Sequence, residues 1–360
     1  MKHIRSVIAG SGRHIPTQVM PNAAFLEHVF LDADGTPIDK SNDQILEQFE
    51  AITAIRERRY ALPEQLNSDL AYLAGRDALA SSGIDPESLD TIVVAHNFGD
   101  VRHGHYRSDT VPSLASRVKA KLKIRNPGTV AFDLLFGCPG WVQAVIQVDA
   151  MIRAGDIRRA LVIGSETLSR VSDPHDRDSL IYADGAGATI LEARETEDEG
   201  ILAHAVRSDA FDYSNMLRMD HSYDQEAILE ALFLKMEGRK LYKYALNSVA
   251  GAIHAALDRA HVSLGEVKKV LIHQANGKMD DAILRELYLQ GGLGEPPADV
   301  MPMTISWLGN SSVATVPTLL DLIRKGQLEG HRIDPGDVIV LASVGAGMNI
   351  NAVVYRVPRA

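Results

Sequence analysis

The chain has 360 residues, of which 46% are hydrophobic and 23% charged, so it can build a large core and intrinsic disorder is excluded. Its formal net charge of -10 disfavours a surface devoted to nucleic acid or to an anionic membrane, and an acidic partner would need a local basic patch. The N-terminus lacks the apolar segment of a secretory signal, and no run reaches the roughly 18 apolar residues of a membrane span, so we expect a soluble, cytoplasmic protein.

Short apolar runs alternate along the chain with longer segments of helical period, which predicts an α/β fold. Each run follows a turn signal, such as GIDPESLD before the first and DPGD before the last. The runs of strand length are 92–95, 160–166, 269–273 and 338–343.

Cys138 is the only cysteine, which excludes an internal disulfide and zinc sites built on several cysteines. The segment LLFGCPGWVQ predicts a strand, then Gly137 and Cys138, then a helix whose first residue is Pro139, because the missing proline N–H would be unpaired there anyway. The sulfur would lie at a helix N-terminus, where the dipole and free N–H groups favour thiolate and can hold an oxyanion. A buried structural cysteine and a reactive thiol both fit this local context.

The second half of the chain repeats the pattern of the first. The segment 142–166 matches 312–343, and the segment 81–96 matches 259–274, each with helix, turn and strand in the same order. Two copies in one order and at nearly constant separation indicate a duplication, although ordinary α/β periodicity aligned by eye is the alternative.

The duplication predicts two halves of similar architecture. The N-terminal half, 1–195, carries Cys138, and the C-terminal half, 196–360, carries His273 and Asn310. The acidic stretch 194–199 is interpreted as a solvated connection between them.

His273 and Asn310 are the polar residues that the repeat places near Cys138. His273 ends an apolar run and would lie at the C-terminal end of a strand, where α/β sites gather, although a histidine bonded to backbone explains it as simply. Asn310 opens the helix that the repeat equates with the helix after Cys138, so a pseudo-twofold axis would bring both helix starts together. As an isolated residue Asn310 is most simply an N-cap.

Seven segments together resemble the ketoacyl-synthase III branch of the thiolase superfamily over nearly the whole chain. They are TAIRERRY (53–60), GCPGW (137–141), VIGSETLSRVSDPHDRDS (162–179), DGAGA (184–188), HQAN (273–276), GNSSVATVP (309–317) and VGAGMN (344–349). The resemblance implies a thiolase-like duplicated five-layer αβαβα fold, a homodimer, and a catalytic triad of Cys138, His273 and Asn310.

The same resemblance implies an acyltransferase that needs no metal or redox cofactor. Cys138 would accept an acyl group from a thioester, with the backbone N–H groups of Cys138 and Ala346 as the oxyanion hole. His273 and Asn310 would donate hydrogen bonds to a malonyl- or ketoacyl-type thioester during decarboxylative Claisen condensation. A second catalytic cysteine, typical of thiolases, and a histidine in place of Asn310, typical of elongating ketosynthases, are absent from the sequence.

The partner that the resemblance implies is an acyl carrier protein, which is acidic and needs basic residues at the tunnel mouth. Lys278 occupies a docking position of the family, and Arg239, Lys240 and Lys243 form a second basic group at the other docking segment. A solvated helix face is the alternative interpretation of both.

Four positions depart from the family pattern. Gln48 and Ile52 stand where a tryptophan and an arginine usually clamp the adenine of coenzyme A, which puts a coenzyme A primer in doubt. Val111 and Val344 stand where larger aromatic residues are common, so we expect a wider acyl pocket. The hypothesis that follows is a primer larger than acetyl, delivered by a carrier protein.

Three other functions are considered beside a synthase of primary metabolism. One is a condensing enzyme of a secondary pathway that makes resorcinols or polyketides. Another is a non-catalytic acyl-binding subunit, which the intact triad opposes. The third, an amide hydrolase with a Cys, His and Asn set, is opposed by the strand-end HQAN segment and by the duplication.

Overall fold

The computed structural model describes residues 3–226 and 231–359. The strands in these residues are β1 His3–His14, β2 Gln18–Pro21, β3 Glu57–Tyr60, β4 Thr91–His96, β5 Asp100–Val101, β6 Ser108–Asp109, β7 Val130–Leu135, β8 Arg159–Thr167, β9 Asp184–Thr196, β10 Gly200–Ser208, β11 Leu217–Asp220, β12 Phe233–Met236, β13 Val267–Ile272, β14 Val338–Gly345 and β15 Asn349–Arg356. The α-helices are α1 Asn42–Thr53, α2 Asn67–Ser82, α3 Leu114–Lys121, α4 Gly140–Ala154, α5 Ala210–Tyr213, α6 Gly238–Ala260, α7 Gly277–Gln290, α8 Ile305–Leu308 and α9 Thr315–Arg324.

Two large sheets share one topology. The first has the order β1-β9-β8-β4-β7, and the second has the order β10-β15-β14-β13. In both, the first two pairings are antiparallel and the next is parallel. Strand β7 extends the first sheet beyond β4 in parallel. The four apolar runs of the sequence are β4, β8, β13 and β14, and His273 lies one residue beyond β13.

The core confirms a five-layer αβαβα arrangement. Alternate residues of β4 face opposite ways: Val93 packs toward the inner helices, whereas Ile92 packs toward the outer ones. The inner layer is α4 and α9, which lie between the two sheets and pack on both. Helices α2 and α3 cover the outer face of the first sheet, and α6 and α7 cover that of the second. Strands buried on both faces explain the continuous apolar runs.

The strands divide between the sheets along the chain. All strands of the first sheet fall within residues 3–196, and all strands of the second fall within residues 200–356. The division into halves at 195/196 stays a prediction, and this partition supports it.

Both central helices begin slightly later than predicted. Pro139 is the N-cap of α4, which starts at Gly140: its φ of -73 is helical, as the proline ring requires, but its ψ of 3 is not. Asn310 lies before a 3-10 turn, and α9 starts only at Thr315. The expectation that Asn310 opens that helix was therefore wrong by one turn. Within the described residues, no helix combines the length and hydropathy needed to span a bilayer.

Candidate active site

Cys138 lies at the junction of β7 and α4, two residues before the helix begins. The turn into it uses Gly137, which has φ +57, and a Cβ at Gly137 would lie 3.0 Å from the backbone nitrogen of Ala346. A left-handed turn and a close backbone approach both require glycine there. The turn therefore brings the thiol beside the segment that follows β14.

His273 and Asn310 come from the second half of the chain and are both about 3% exposed. The His273 N–H donates to the carbonyl of Ala342 (2.9 Å), which continues the β13–β14 pairing and fixes the residue at the strand end. The Asn310 side-chain oxygen accepts from the Ser312 N–H (2.8 Å), so its amide nitrogen is left for another partner. Both residues are thus held by backbone contacts of their own segment.

One cavity of about 50 Å³ joins these groups. Its polar lining contains Asn97, Cys138, Tyr182, His273, Asn310 and Ser312. Its apolar lining contains Leu168, Ile181, Leu217, Leu234, Met236, Leu241, Ala275, Met279, Val344 and Ala346. A cavity lined by both polar and apolar side chains fits a group that carries a reactive carbonyl and a hydrocarbon chain.

The three candidate catalytic residues lie together as the sequence predicts, and so do Ala346 and Val344. A Cβ at Gly345 would lie 2.8 Å from the backbone nitrogen of Cys138, so the segment carrying Ala346 packs directly on the cysteine. Val111 does not join them: it is 84% exposed and lies outside the cavity wall. Within one chain, the structure gives no support to Val111 as a pocket residue.

Burial sets the protonation of the thiol. The sequence predicts that the helix start favours thiolate, but burial acts in the opposite direction and raises the pKa of Cys138 to about 11. A hydrogen bond with the Ser312 side chain lowers that pKa, and the charge of Glu166 raises it. The resting residue is therefore a thiol at neutral pH.

Burial also keeps His273 neutral. It lowers the pKa of His273 to about 4, and a hydrogen bond to the backbone of Ser312 partly opposes the shift. Among the described residues, Nδ1 of this ring has no hydrogen-bond partner. A neutral imidazole whose Nδ1 has no partner can form a hydrogen bond with a bound thioester, and it adds no charge to the apolar cavity.

Ser312, Asn97 and Glu166 form a polar group behind the thiol that the sequence did not identify. The Asn97 amide donates to the Ser312 hydroxyl (3.2 Å) and to the Glu166 carboxylate, which also accepts from the Asn97 backbone N–H (2.9 Å). Glu166 is fully buried, and burial raises its pKa to about 7. The signal in the sequence that could have identified Glu166 is its position as an acidic residue at the end of the apolar run 160–166.

A hairpin of β11 and β12 supplies one wall of the cavity through Leu217, Leu234 and Met236. On the opposite face of β12, the buried ammonium of Lys235 binds Asp173 (2.5 Å) and Asp176 (3.1 Å). A buried ammonium needs such partners, because an unpaired charge there is very costly. The ion cluster thereby holds the hairpin against the segment that follows β8.

The four predicted docking residues are exposed, and each lies within two residues of a side chain that lines the cavity. Arg239, Lys240 and Lys243 lie on α6 around Leu241, which lines the cavity, and Lys278 lies on α7 beside Met279, which also lines it. Lys240 forms an ion pair with Glu237 on its own helix. On the described residues, no group of three or more metal-binding side chains occurs.

The chain is similar to known proteins over nearly its whole length. Residues 132–210 match the family model 3-oxoacyl-[acyl-carrier-protein] synthase III, and residues 257–357 match its C-terminal domain model. A beta-ketoacyl-[acyl-carrier-protein] synthase III of Paracoccus denitrificans is 33% identical over 357 residues, which cover 98% of this chain and 99% of the relative.

Two solved structures show the same fold. The 3-oxoacyl-[acyl-carrier-protein] synthase III of Aquifex aeolicus superposes with a TM-score of 0.79 at 29% identity, covering 98% of this chain and 99% of that one. The priming beta-ketosynthase of the R1128 polyketide pathway gives a TM-score of 0.80 at 26% identity, covering 99% and 98%.

Proposed function

Because this chain belongs to the 3-oxoacyl-[acyl-carrier-protein] synthase III family, we propose that its apolar cavity is the active site in which Cys138 is acylated. The enzyme is an acyltransferase of the condensing type, which joins two thioesters by decarboxylative Claisen condensation. The observation that carries the assignment of the site is that Cys138, His273 and Asn310, from both halves of the chain, line one cavity.

In the first step, Cys138 attacks the carbonyl carbon of the donor thioester. The new C–S bond forms, the donor C–S bond breaks, and the cysteine proton leaves with the departing thiol. The backbone N–H groups of Cys138 and Ala346 hold the oxyanion of the tetrahedral intermediate, a role that their close packing supports.

In the second step, a malonyl thioester loses CO₂ and its C–C electron pair becomes an enolate. The His273 imidazole and the Asn310 amide donate hydrogen bonds to the enolate oxygen. The enolate carbon attacks the acyl carbon on Cys138, the C–S bond breaks, and the thiolate takes up a proton. A neutral His273 suits this role because it adds no fixed charge to the cavity before the enolate forms.

The extender arrives on an acyl carrier protein that binds the basic residues at the cavity mouth. Helices α6 and α7 each place an exposed cation next to a cavity-lining residue, Lys243 near Leu241 and Lys278 beside Met279. An acidic partner centred there would point its thioester into the cavity, and the contact would weaken with salt.

The primer is larger than acetyl and comes from a carrier protein rather than from coenzyme A. Helix α1 presents exposed Gln48 and Ile52 where an adenine clamp would be needed. The same helix carries Asp43, Glu47 and Glu50 and no cation, which repels the phosphates of coenzyme A. The cavity lining is mostly apolar, and two of its residues, Met236 and Met279, have flexible side chains that can adapt to a chain longer than two carbons.

Two copies of the chain form a homodimer through β7. This edge strand exposes Val130 (60%) and Leu135 (63%), and an unpaired apolar edge favours pairing with a second chain. In such a dimer the exposed Val111 would reach the partner, which is the arrangement its expected pocket role requires.

The likeness to a polyketide priming ketosynthase favours a secondary-metabolic pathway as the second candidate function. A non-catalytic acyl-binding subunit is disfavoured because all three triad residues reach the cavity.

One experiment tests the proposed function. The chain is incubated with acyl thioesters of coenzyme A, pantetheine and acyl carrier protein, with acetyl as the shortest chain. The mass added to Cys138 is measured before and after malonyl carrier protein is supplied. We expect acylation from C4 or longer carrier thioesters and its discharge as a 3-oxoacyl product. Acetyl-coenzyme A as the best donor would contradict the primer assignment, and an unacylated Cys138 with every donor would contradict the site.

A further inference from the structure

Tyr182 places a phenol group in the cavity wall with no hydrogen-bond partner. The residue is 3% exposed and lines the cavity together with Cys138. Its hydroxyl is buried, and none of the described residues donates to it or accepts from it. The polar groups Asn97, Ser312 and Asn310, by contrast, have partners.

The backbone fixes Tyr182 beside Asn310. The two residues form an isolated parallel bridge, in which the Asn310 N–H donates to Ile181 (2.9 Å) and the Ala183 N–H donates to Asn310 (2.8 Å). The Tyr182 N–H is itself bonded to the carbonyl of Ser179 (3.1 Å). The phenol is therefore attached to a rigid segment at the reactive end of the cavity.

The phenol is a neutral hydrogen-bond donor at any physiological pH. Burial raises the pKa of Tyr182 well above 10, and a negative charge on Cys138, whenever its thiol ionises, would raise it further. The neighbouring lining residues Leu168, Ile181 and Leu217 offer no acceptor on their side chains. A phenylalanine would fill the same space without the cost of a buried, unpaired hydroxyl.

We propose that the acyl group on Cys138 supplies the missing partner, and that Tyr182 donates a hydrogen bond to an oxygen on the first carbons of its chain. The substrate class is then a 3-oxoacyl or 3-hydroxyacyl thioester rather than a plain alkanoyl thioester. This inference rests on the proposed function, since it requires acyl-Cys138. Tyr182 makes and breaks no bond in this role and acts on selectivity alone.

The test compares three pantetheine thioesters of equal chain length: butanoyl, 3-hydroxybutanoyl and 3-oxobutanoyl. The rate of acyl-Cys138 formation is followed by intact-protein mass spectrometry. We expect the wild type to prefer at least one oxygenated donor by about 10-fold or more, and Tyr182→Phe to lose that preference.

A matched control is Tyr355→Phe. Tyr355 is also a buried phenol, but its hydroxyl accepts a hydrogen bond from the Ile8 N–H (2.9 Å) and lies outside the cavity. This variant should have a lower melting temperature and unchanged donor selectivity. Tyr182→Phe should show the reverse, an equal or higher melting temperature and altered selectivity.

The outcomes separate this inference from the proposed function. If butanoyl loads Cys138 and the wild type shows no preference for either oxygenated donor, the inference is wrong and the function stands. The same conclusion follows if Tyr182→Phe slows all three donors equally. If no thioester of any kind loads Cys138, the proposed function fails, and the inference fails with it.

Discussion

Gly345 packs against Cys138 without room for a side chain. A Cβ at Gly345 would lie 2.8 Å from both the backbone nitrogen and the Cβ of Cys138. The backbone of Gly345 is extended (φ -173), so close packing and not conformation requires the glycine. Because Ala346 follows directly, any displacement at Gly345 also moves the Ala346 N–H relative to the sulfur.

Gly345→Ala should therefore slow the acylation of Cys138 by about 10² to 10³-fold, the usual cost of losing one oxyanion donor. Stopped-flow or quenched mass spectrometry of acyl-enzyme formation measures it. Gly251→Ala, in α6 with open space around the new methyl group, is the control and should load at the wild-type rate. Equal rates in both variants would exclude Ala346 from the oxyanion hole.

Replacing His273 or Asn310 should separate the two chemical steps. His273→Ala and Asn310→Asp should acylate within a few-fold of wild type yet release CO₂ from malonyl carrier protein about 10² to 10³-fold more slowly. Asn310→Asp keeps the acceptor for the Ser312 N–H and removes only the donor amide, so the local turn is preserved. Loss of acylation in step with decarboxylation would argue against these roles.

The reactivity of Cys138 should depend steeply on pH. With a pKa of about 11, the thiolate fraction rises about tenfold per pH unit between pH 7 and 9, and alkylation by iodoacetamide should follow it. Ser312→Ala removes a contact that lowers this pKa and should shift the profile to higher pH. The chain has one cysteine, so the label is unambiguous. A rate that is already constant below pH 8 would instead indicate a thiolate held by the helix start.

The buried Glu166 should make stability fall as the pH rises. In the unfolded chain the carboxyl ionises near its ordinary pKa of 4.5, whereas the folded protein retains the proton up to about 7. The folded state thus binds more protons between these values, and stability present below pH 4.5 is lost as the pH rises toward and through 7.

Glu166→Gln should remove this dependence of stability on pH. The free energy of unfolding of the variant relative to wild type should therefore grow by up to about 3 kcal/mol as the pH rises from 4.5 to 7. Urea titrations at several pH values measure the difference. The lowered pKa of His273 has the opposite effect as pH falls below 6.5, but it is common to both proteins and cancels. Glu329→Gln, at an exposed site, is the control. A constant difference between the two proteins would show that Glu166 is ionised throughout.

Charge reversal at the cavity mouth should weaken carrier binding selectively. Lys243→Glu together with Lys278→Glu should raise KM for malonyl carrier protein by about tenfold at low salt and leave the pantetheine thioester unaffected. Lys268→Glu, exposed at the far end of β13 from His273, keeps the same change of charge away from the mouth. An equal rise in KM in the control would indicate a general charge effect instead of docking.

The sequence predicted those parts of the structure that leave a local or repeated signal. The apolar run 160–166 forms a strand, because a strand buried on both faces must be hydrophobic along its whole length. The repeat predicted that His273 and Asn310 lie near Cys138, and all three line one cavity. Glu166 and Lys235 were not anticipated, because charged side chains are usually exposed and their burial depends on partners distant in sequence. The pocket role of Val111 stays a prediction, since it depends on a second chain.

The central layer of α4 and α9 has a consequence for how such an enzyme diversifies. The helix after Cys138 and the helix after Asn310 lie side by side between two sheets, so neither can shift without disturbing the whole core. The hairpin of β11 and β12, in contrast, lines the cavity through three side chains, Leu217, Leu234 and Met236. Selection can therefore exchange the hairpin to accept a new acyl chain while the reaction itself is inherited unchanged.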